Sequence, residues 1–162
     1  MTEAVGRREG GMAGASAPAR DWLGLAIPLL SVLGMLISAY LTWVHWGGSK
    51  ALCSGIGDCE TVNNSAYAVV AGVPVALLGF GMYLALFGLS VYGRRAGPET
   101  ASTLALAVFG ISLAGVLYSA YLTYIELAVI HAICPWCVTS AVFITLVFGV
   151  SLRDVTRMTG ES

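Results

Sequence analysis

Four runs of this chain carry almost no charge and are long enough to cross a bilayer, and they limit the fold more than any other feature. They are Trp22–Trp46, Val73–Tyr92, Ala101–Ile133, broken only by Glu126, and the 19-residue Cys134–Leu152. About 20 apolar residues, with a range near 17–25, span the hydrocarbon as a helix. In lipid every backbone donor and acceptor must be satisfied within the segment, so helices are the expected structure. Composition agrees: 57% of residues are hydrophobic and 10% are charged, against about 25% charged in soluble domains. The expected fold is an all-α bundle of four transmembrane helices, with a loop between helices 1 and 2 on the extracytoplasmic side. The spans are placed at about 22–46, 73–92, 103–131 and 136–152, within a membrane domain of residues 21–153.

The first run, at 25 residues, exceeds the about 7–15 apolar residues of a secretory signal. Trp43, His45 and Trp46 follow where small cleavage-site residues would stand, so a retained span is expected. Residues 1–20 are rich in Gly and Ala and read as a disordered cytoplasmic tail, with a second tail over 154–162. Orientation follows from basic residues, which favour the cytoplasmic side. Arg7, Arg8, Arg20, Arg94, Arg95, Arg153 and Arg157 fall on one face and Lys50 alone on the other. Both termini are therefore expected in the cytoplasm. Cys53, Cys59, Cys134 and Cys137 all fall on the opposite face, where disulfides form and persist.

The chain also repeats itself. Ser31–Trp43, SVLGMLISAYLTW, returns as Ser112–Tyr124, SLAGVLYSAYLTY, with eight of thirteen positions identical. Thr42 and Thr123 each precede a cysteine, Cys53 or Cys134, by eleven residues. Helical hairpins repeated in tandem share one orientation, in agreement with the basic residues. Small residues four apart, Gly81/Ala85 and Gly110/Ala114, are expected to let helices approach closely.

The cysteines carry the chemistry. Cys53 and Cys59 form a C-x5-C within Gly-rich sequence, and Cys134 and Cys137 form a C-x-x-C around Pro135-Trp136. Pro favours the first turn of a helix, which sets Cys134 at a helix N-terminus, where the dipole favours a thiolate. Three readings follow from the residues alone: a redox relay by thiol–disulfide exchange, a four-cysteine zinc site, or two static disulfides bracing the outer loops. The spacing disfavours zinc, because C-x5-C is long for a zinc knuckle and the pairs lie far apart in sequence. No metal site is expected.

The stretch CSGIGDCETVNNSAYAVVAGVPVALLG, followed later by AICPWC at the last helix, resembles the bacterial homologues of vitamin K epoxide reductase. The shared features are the loop C-x5-C, a V-N-x-S ending at Ser65, a G-x-P-V opening the second helix and the C-x-x-C at the fourth. The resemblance implies a quinone-linked thiol:disulfide oxidoreductase of the bacterial inner membrane that supports disulfide-bond formation. Cys53 would accept electrons from an external dithiol, Cys59 would attack Cys134, and Cys137 would reduce the quinone, menaquinone or ubiquinone. The chain ends ten residues beyond Leu152, so the donor is expected to be a separate thioredoxin-fold, DsbA-like carrier. Animal members have a Tyr four residues after the last cysteine; Ala141 stands here, which favours quinone over epoxide reduction. A carrier near about −120 mV cannot be reoxidised by glutathione near about −200 mV, whereas a membrane quinone is a suitable acceptor.

Three further residues are candidates for quinone binding or support: Ser65, Glu126, ionisable within a span, and His131, one turn before Cys134. The alternatives are a non-catalytic membrane scaffold with two structural disulfides, and a quinone-coupled oxidase of the DsbB type, against which a C-x-x-C on the last helix argues.

Overall fold

Each apolar run forms a helix in the computed structural model, which describes residues 18–48 and 58–160, with side chains from residue 24 onward. Helix α1 spans Pro18–Gly47. The short helix α2, Cys59–Asn63, leads through a single 3₁₀ turn, Ala66–Ala68, into strands β1, Val69–Val70, and β2, Val73–Pro74. Three long helices complete the chain: α3, Val75–Gly93; α4, Pro98–Ile125; and α5, Pro135–Gly160. Among the described residues, four helices are long and apolar enough to cross a membrane, over Gly24–Gly47, Val75–Gly93, Pro98–Ile130 and Pro135–Gly160.

At the end away from the cysteines polar residues carry both helices past the apolar runs: α4 starts at Pro98 and α5 continues to Gly160. Pro98 occupies the first turn of α4, where its missing N–H is no loss. α5 continues through residues 154–160, which were expected as a tail, and residues 18–20 are helical rather than part of a disordered tail.

The main contacts run around a ring, α1 to α3, α3 to α4, α4 to α5 and α5 back to α1. The core consists of Ile27, Tyr83, Leu86, Val108, Ile144 and Val147. Lipid is as apolar as this core, so tight packing and interhelical hydrogen bonds, more than burial from water, hold the helices together. The Tyr83 hydroxyl donates to the Ser140 carbonyl at 2.8 Å, joining α3 to α5. Ser112 and Ser151, both buried, meet at 3.1 Å between α4 and α5.

The close approaches fall in the repeat and not where they were expected. Gly81 and Gly110 face open space; the crowded positions are Gly34, against the Tyr83 ring, and Gly115, against Met82 and Ile144. Gly34 and Gly115 occupy the same place in the two copies, three residues after the buried Ser31 and Ser112. Spacing of small residues shows where helices can approach; the bulk of the facing residue decides where they do.

The two short strands pair antiparallel, Val69 with Pro74 and Val70 with Val73. Ala71 and Gly72 both have positive φ, 51° and 83°, as a two-residue hairpin turn of this hand requires. The hairpin delivers the chain directly into α3, on the same end of the bundle as the start of α5.

Candidate functional site

Glu126 begins a departure from regular helix that shapes this end of the molecule. Beyond Ile125 the chain widens into a π-type turn, Glu126–Ile130, closed by the His131 N–H on the Glu126 carbonyl. His131 sits in the left-handed region at φ 55°, which histidine tolerates better than most non-glycine residues. Ala132 N also donates to the Glu126 carbonyl, at 3.1 Å. The chain thus turns back so that Cys134 N donates to the Glu126 carboxylate at 3.2 Å. One residue holds the turn through its backbone and the start of α5 through its side chain.

Cys134 is the residue before α5, and its sulfur acts as the helix cap. Cys137 N donates to Cys134 Sγ at 3.4 Å, the bond usually made by a Ser or Asp side chain at this position. Cys134 and Cys137 are free thiols, with Cys137 Sγ donating to Cys134 Sγ at 2.8 Å. That donation, aided by the N–H groups of Cys137 and Trp136, holds the Cys134 thiol below its ordinary pKa against burial and the Glu126 charge. The arrangement prepares a thiolate at Cys134. Cys137 and Glu126 lie on the wall of the same cavity.

Cys59 arrives from the other side of the sequence. Asp58 caps α2, its carboxylate accepting from Thr61 N at 3.0 Å and from Thr61 Oγ1 at 2.6 Å. These bonds keep the exposed Asp58 carboxyl below its usual pKa. Asp58 N donates to the Ile133 carbonyl at 3.0 Å, fastening the start of α2 to the residue before Cys134. Cys59, Val62 and Cys134 form one buried cluster, with Trp136 and Cys137 packed against it. Cys59 is disulfide-bonded; Cys53 lies outside the described residues. At the far end of α2, His45 Nδ1 donates to the Asn63 carbonyl at 2.9 Å.

Below this cluster a cavity of about 460 Å³ opens among α1, α3, α4, α5 and the outer segment. Its wall is mainly apolar. Asn63, Ser119, Thr123 and Ser140 supply polar groups, Cys137 contributes a thiol, and Glu126 is its one charged side chain among the described residues. Leu78 and Tyr118 line it while also being exposed on the bundle's lateral surface.

The structure separates the three supporting candidates. Glu126 is 5% exposed and joins Cys134 to the cavity. Ser65 reaches the wall, its hydroxyl donating to the Val62 carbonyl at 2.8 Å. His131 is exposed, stands outside the wall, and contributes through its backbone. The buried Tyr83, whose hydroxyl meets the Ser140 Oγ at 3.1 Å on the cavity wall, was not anticipated. Neither was His45. A polar residue placed at repeat-equivalent spacing was the available signal for His45.

Fold and site define a helical, multi-pass membrane protein with a dithiol at a helix mouth, above a cavity among its helices. Residues 25–152 match the Vitamin K epoxide reductase family, and the chain belongs to that family. It is similar to the thiol-disulfide oxidoreductase LTO1 of Arabidopsis thaliana, 39% identical over 126 residues, covering 75% of this chain and 34% of that protein. A shorter similarity, 36% over 85 residues, covers 46% of this chain and 32% of a tetrahydromethanopterin S-methyltransferase subunit of Methanosarcina barkeri. The chain thus spans about a third of the length of each of these relatives.

Proposed function

We propose that this protein is a thiol:disulfide oxidoreductase that passes electrons from an extracytoplasmic dithiol carrier, through its cysteines, to a membrane quinone. The observation carrying the reading is the placement of Cys59 and Cys134 in one buried cluster, with Cys137 also on the cavity wall. Family membership and the relative named thiol-disulfide oxidoreductase support the same chemistry.

The first half of the reaction is exchange. A reduced thioredoxin-fold carrier of the DsbA kind attacks the loop pair at Cys53, and the carrier leaves oxidised with Cys53 and Cys59 as thiols. The Cys59 thiolate then attacks Cys134 of a Cys134–Cys137 disulfide, releasing Cys137 as the leaving thiolate. Cys53 resolves the Cys59–Cys134 bond, closing the loop pair again and leaving Cys134 and Cys137 reduced. Each exchange conserves electrons and moves one disulfide. The capping N–H groups and the Cys137 S–H stabilise Cys134 as a thiolate when it departs.

The second half returns the helix pair to a disulfide. A quinone held in the cavity would supply the oxidant, taking two electrons and two protons to become hydroquinone. The cavity suits such a guest: its volume lies within the about 300–1,000 Å³ common for small-molecule sites, its wall is apolar with a few polar groups, and Leu78 and Tyr118 border the lateral surface. Menaquinone and ubiquinone both meet these requirements. Cys137 is the thiol on the wall and would be the one to meet the acceptor; Ser65, Ser119 and Thr123 also line the wall and would orient it. Ala141 leaves its part of the wall without a hydroxyl, which favours plain quinone reduction over epoxide reduction.

The protein resides in the bacterial plasma membrane, with the cysteine end outside and Arg94, Arg95, Arg153 and Arg157 inside, as the basic residues direct. The non-catalytic scaffold would hold both pairs closed and apart from exchange, and the burial of Cys59 with Cys134 in one cluster favours the relay. Anaerobic quinone reduction, fed by a reduced thioredoxin-fold carrier, tests the reading. Turnover by the wild type and its loss in Cys53→Ala and Cys137→Ala are expected. A folded protein inert towards both quinones with competent carriers would leave the scaffold standing.

A further inference from the structure

The proposed reaction moves two electrons into an apolar cavity and must deliver protons there as well. The Cys134 and Cys137 pair stores one hydrogen between its sulfurs, the S–H that Cys137 donates to Cys134. Closing the disulfide from Cys134–S⁻ and Cys137–SH releases two electrons and that one proton. Water reaches this region poorly: Cys134 is fully buried and Glu126 is 5% exposed. A proton accepted by no side chain would have to leave through the apolar wall.

Among the described residues, Glu126 alone is placed to receive it. Its carboxylate accepts from Cys134 N, and it lines the cavity together with Cys137. The remaining titratable groups of the described wall are Tyr67 from the outer segment, Tyr83 from α3 and Tyr118 from α4, besides Cys137 itself. Lysine, arginine, histidine and aspartate are all absent from the described wall. An acid buried within a span is costly to keep, and a cap alone would be served by a neutral Gln, Ser or Asn.

Resting on the proposed function, we infer that Glu126 is the general base of the second half-reaction, taking the Cys137 proton as the disulfide closes and passing it to the acceptor oxygen. The balance is complete: the dithiol gives two electrons, Glu126 relays one proton, and the second is the one Cys134 lost on ionising, drawn from the aqueous side. Glu126 has a separate structural part through Cys134 N, and the Gln variant isolates it, because a Gln side-chain oxygen still accepts that bond but cannot ionise.

The test compares wild type with Glu126→Gln in two assays. In the first, fully reduced protein is mixed anaerobically with a soluble benzoquinone across pH, and dithiol oxidation is normalised to the rate at which the carrier reduces the Cys59 disulfide. Wild type should lose rate at low pH as the carboxylate is protonated. The Gln variant should be slower by about 10²–10⁴-fold, the usual worth of a positioned acid–base group, and should keep only the limb set by ionisation of the thiols themselves. In the second, quinone-free protein in a Cys134→Ala background is alkylated with iodoacetamide and Cys137 is followed by peptide mass; the Gln change should slow Cys137 and leave only the limb of the thiol's own ionisation. Wild-type rates and pH profiles in both assays for a folded Gln variant would overturn the inference and leave Glu126 a cap. Dependence on Glu126 in the alkylation assay, with no quinone reduction by wild type, would support the base and sink the quinone. If the Gln variant does not fold, Glu126→Asp replaces it: a slower reaction that keeps a carboxylate limb separate from that of the thiols supports the inference, and a profile with the thiol limb alone contradicts it.

Discussion

His45 and Glu126 stand at the same place in the two halves of the repeat, fourteen residues after Ser31 and Ser112. Up to that point the copies behave alike: Ser31 and Ser112 are buried, and Gly34 and Gly115 each admit a large side chain from a neighbouring helix. Beyond it they diverge. His45 donates to the Asn63 carbonyl at 2.9 Å and ties down α2, the segment carrying Cys59. Glu126 accepts from Cys134 N at 3.2 Å and fixes the start of α5, with Cys134 and Cys137. Each copy therefore ends in a polar residue that anchors one cysteine-bearing segment to a membrane helix. A donor suits a carbonyl exposed at the end of a short helix, and an acceptor suits the unpaired N–H at the beginning of a long one. The repeat preserves the packing and varies the anchor according to which backbone group needs a partner.

The largest effect expected from this comparison comes from removing a cysteine of the second segment. Cys134→Ala and Cys137→Ala should each abolish carrier-driven turnover, measured as carrier oxidation, with no residual rate from the loop pair alone. A variant retaining substantial turnover would break the assignment of the helix pair as the exit for electrons.

The packing half of the comparison is sharpened by four single substitutions. Gly34→Ala and Gly115→Ala force a methyl against Tyr83 and against Met82 and Ile144, and overpacking of this kind costs about 1–3 kcal/mol. Gly81→Ala and Gly110→Ala meet open space and should be close to neutral. Thermal unfolding in detergent separates the two groups; equal midpoints for all four would show that the repeat glycines do not set the helix spacing.

Removing the first anchor should act more gently. His45→Ala deletes one hydrogen bond, about 1 kcal/mol, and loosens α2 without touching the dithiol. Exchange between the Cys59 segment and Cys134 should slow by several-fold, while oxidation of the prereduced Cys134–Cys137 pair stays at the wild-type rate. Equal slowing of both steps would mean that His45 does not act through α2.

The smallest effect is a shift in pH. Because the Cys134 pKa is lowered in the folded protein, chiefly by the Cys137 S–H, its thiolate forms at a pH where a free cysteine, near about 8.5, is still protonated. Thiolate absorbance of the reduced Cys53→Ala, Cys59→Ala protein should begin below that value, and Cys137→Ala should move its onset upward. An unmoved onset would remove Cys137 as the source of the effect.

Much of this was legible in the amino-acid sequence, for physical reasons. Four uncharged runs in lipid admit little besides four helices, Pro135 marks a helix start, and the C-x-x-C therefore falls at a helix mouth. Recurrence of Ser-x-x-Gly in both copies held the packing information, but the bulk of Tyr83 and Ile144 opposite those glycines depends on tertiary structure. The π-type turn was not legible. It follows from the left-handed His131 and the backbone bonds to the Glu126 carbonyl, which leave no signature in hydropathy. Glu126 stood out as a charge in a span, whereas its bond to Cys134 N required the turn. The Val69–Pro74 hairpin was missed because Ala71, unlike Asn or Gly, is not a residue that announces a positive φ. Polar helix ends such as 154–160 carry too little apolar character to be read from a span.

The proposed relay depends most directly on Cys59 and Cys134 being exchange partners. A Cys53→Ala, Cys137→Ala variant leaves only these two thiols, and mild oxidation with oxidised glutathione followed by peptide mass analysis tests their pairing. An intramolecular Cys59–Cys134 disulfide as the main product is predicted. Separate glutathione adducts on the two cysteines, with no internal bond in a folded protein, would contradict the relay.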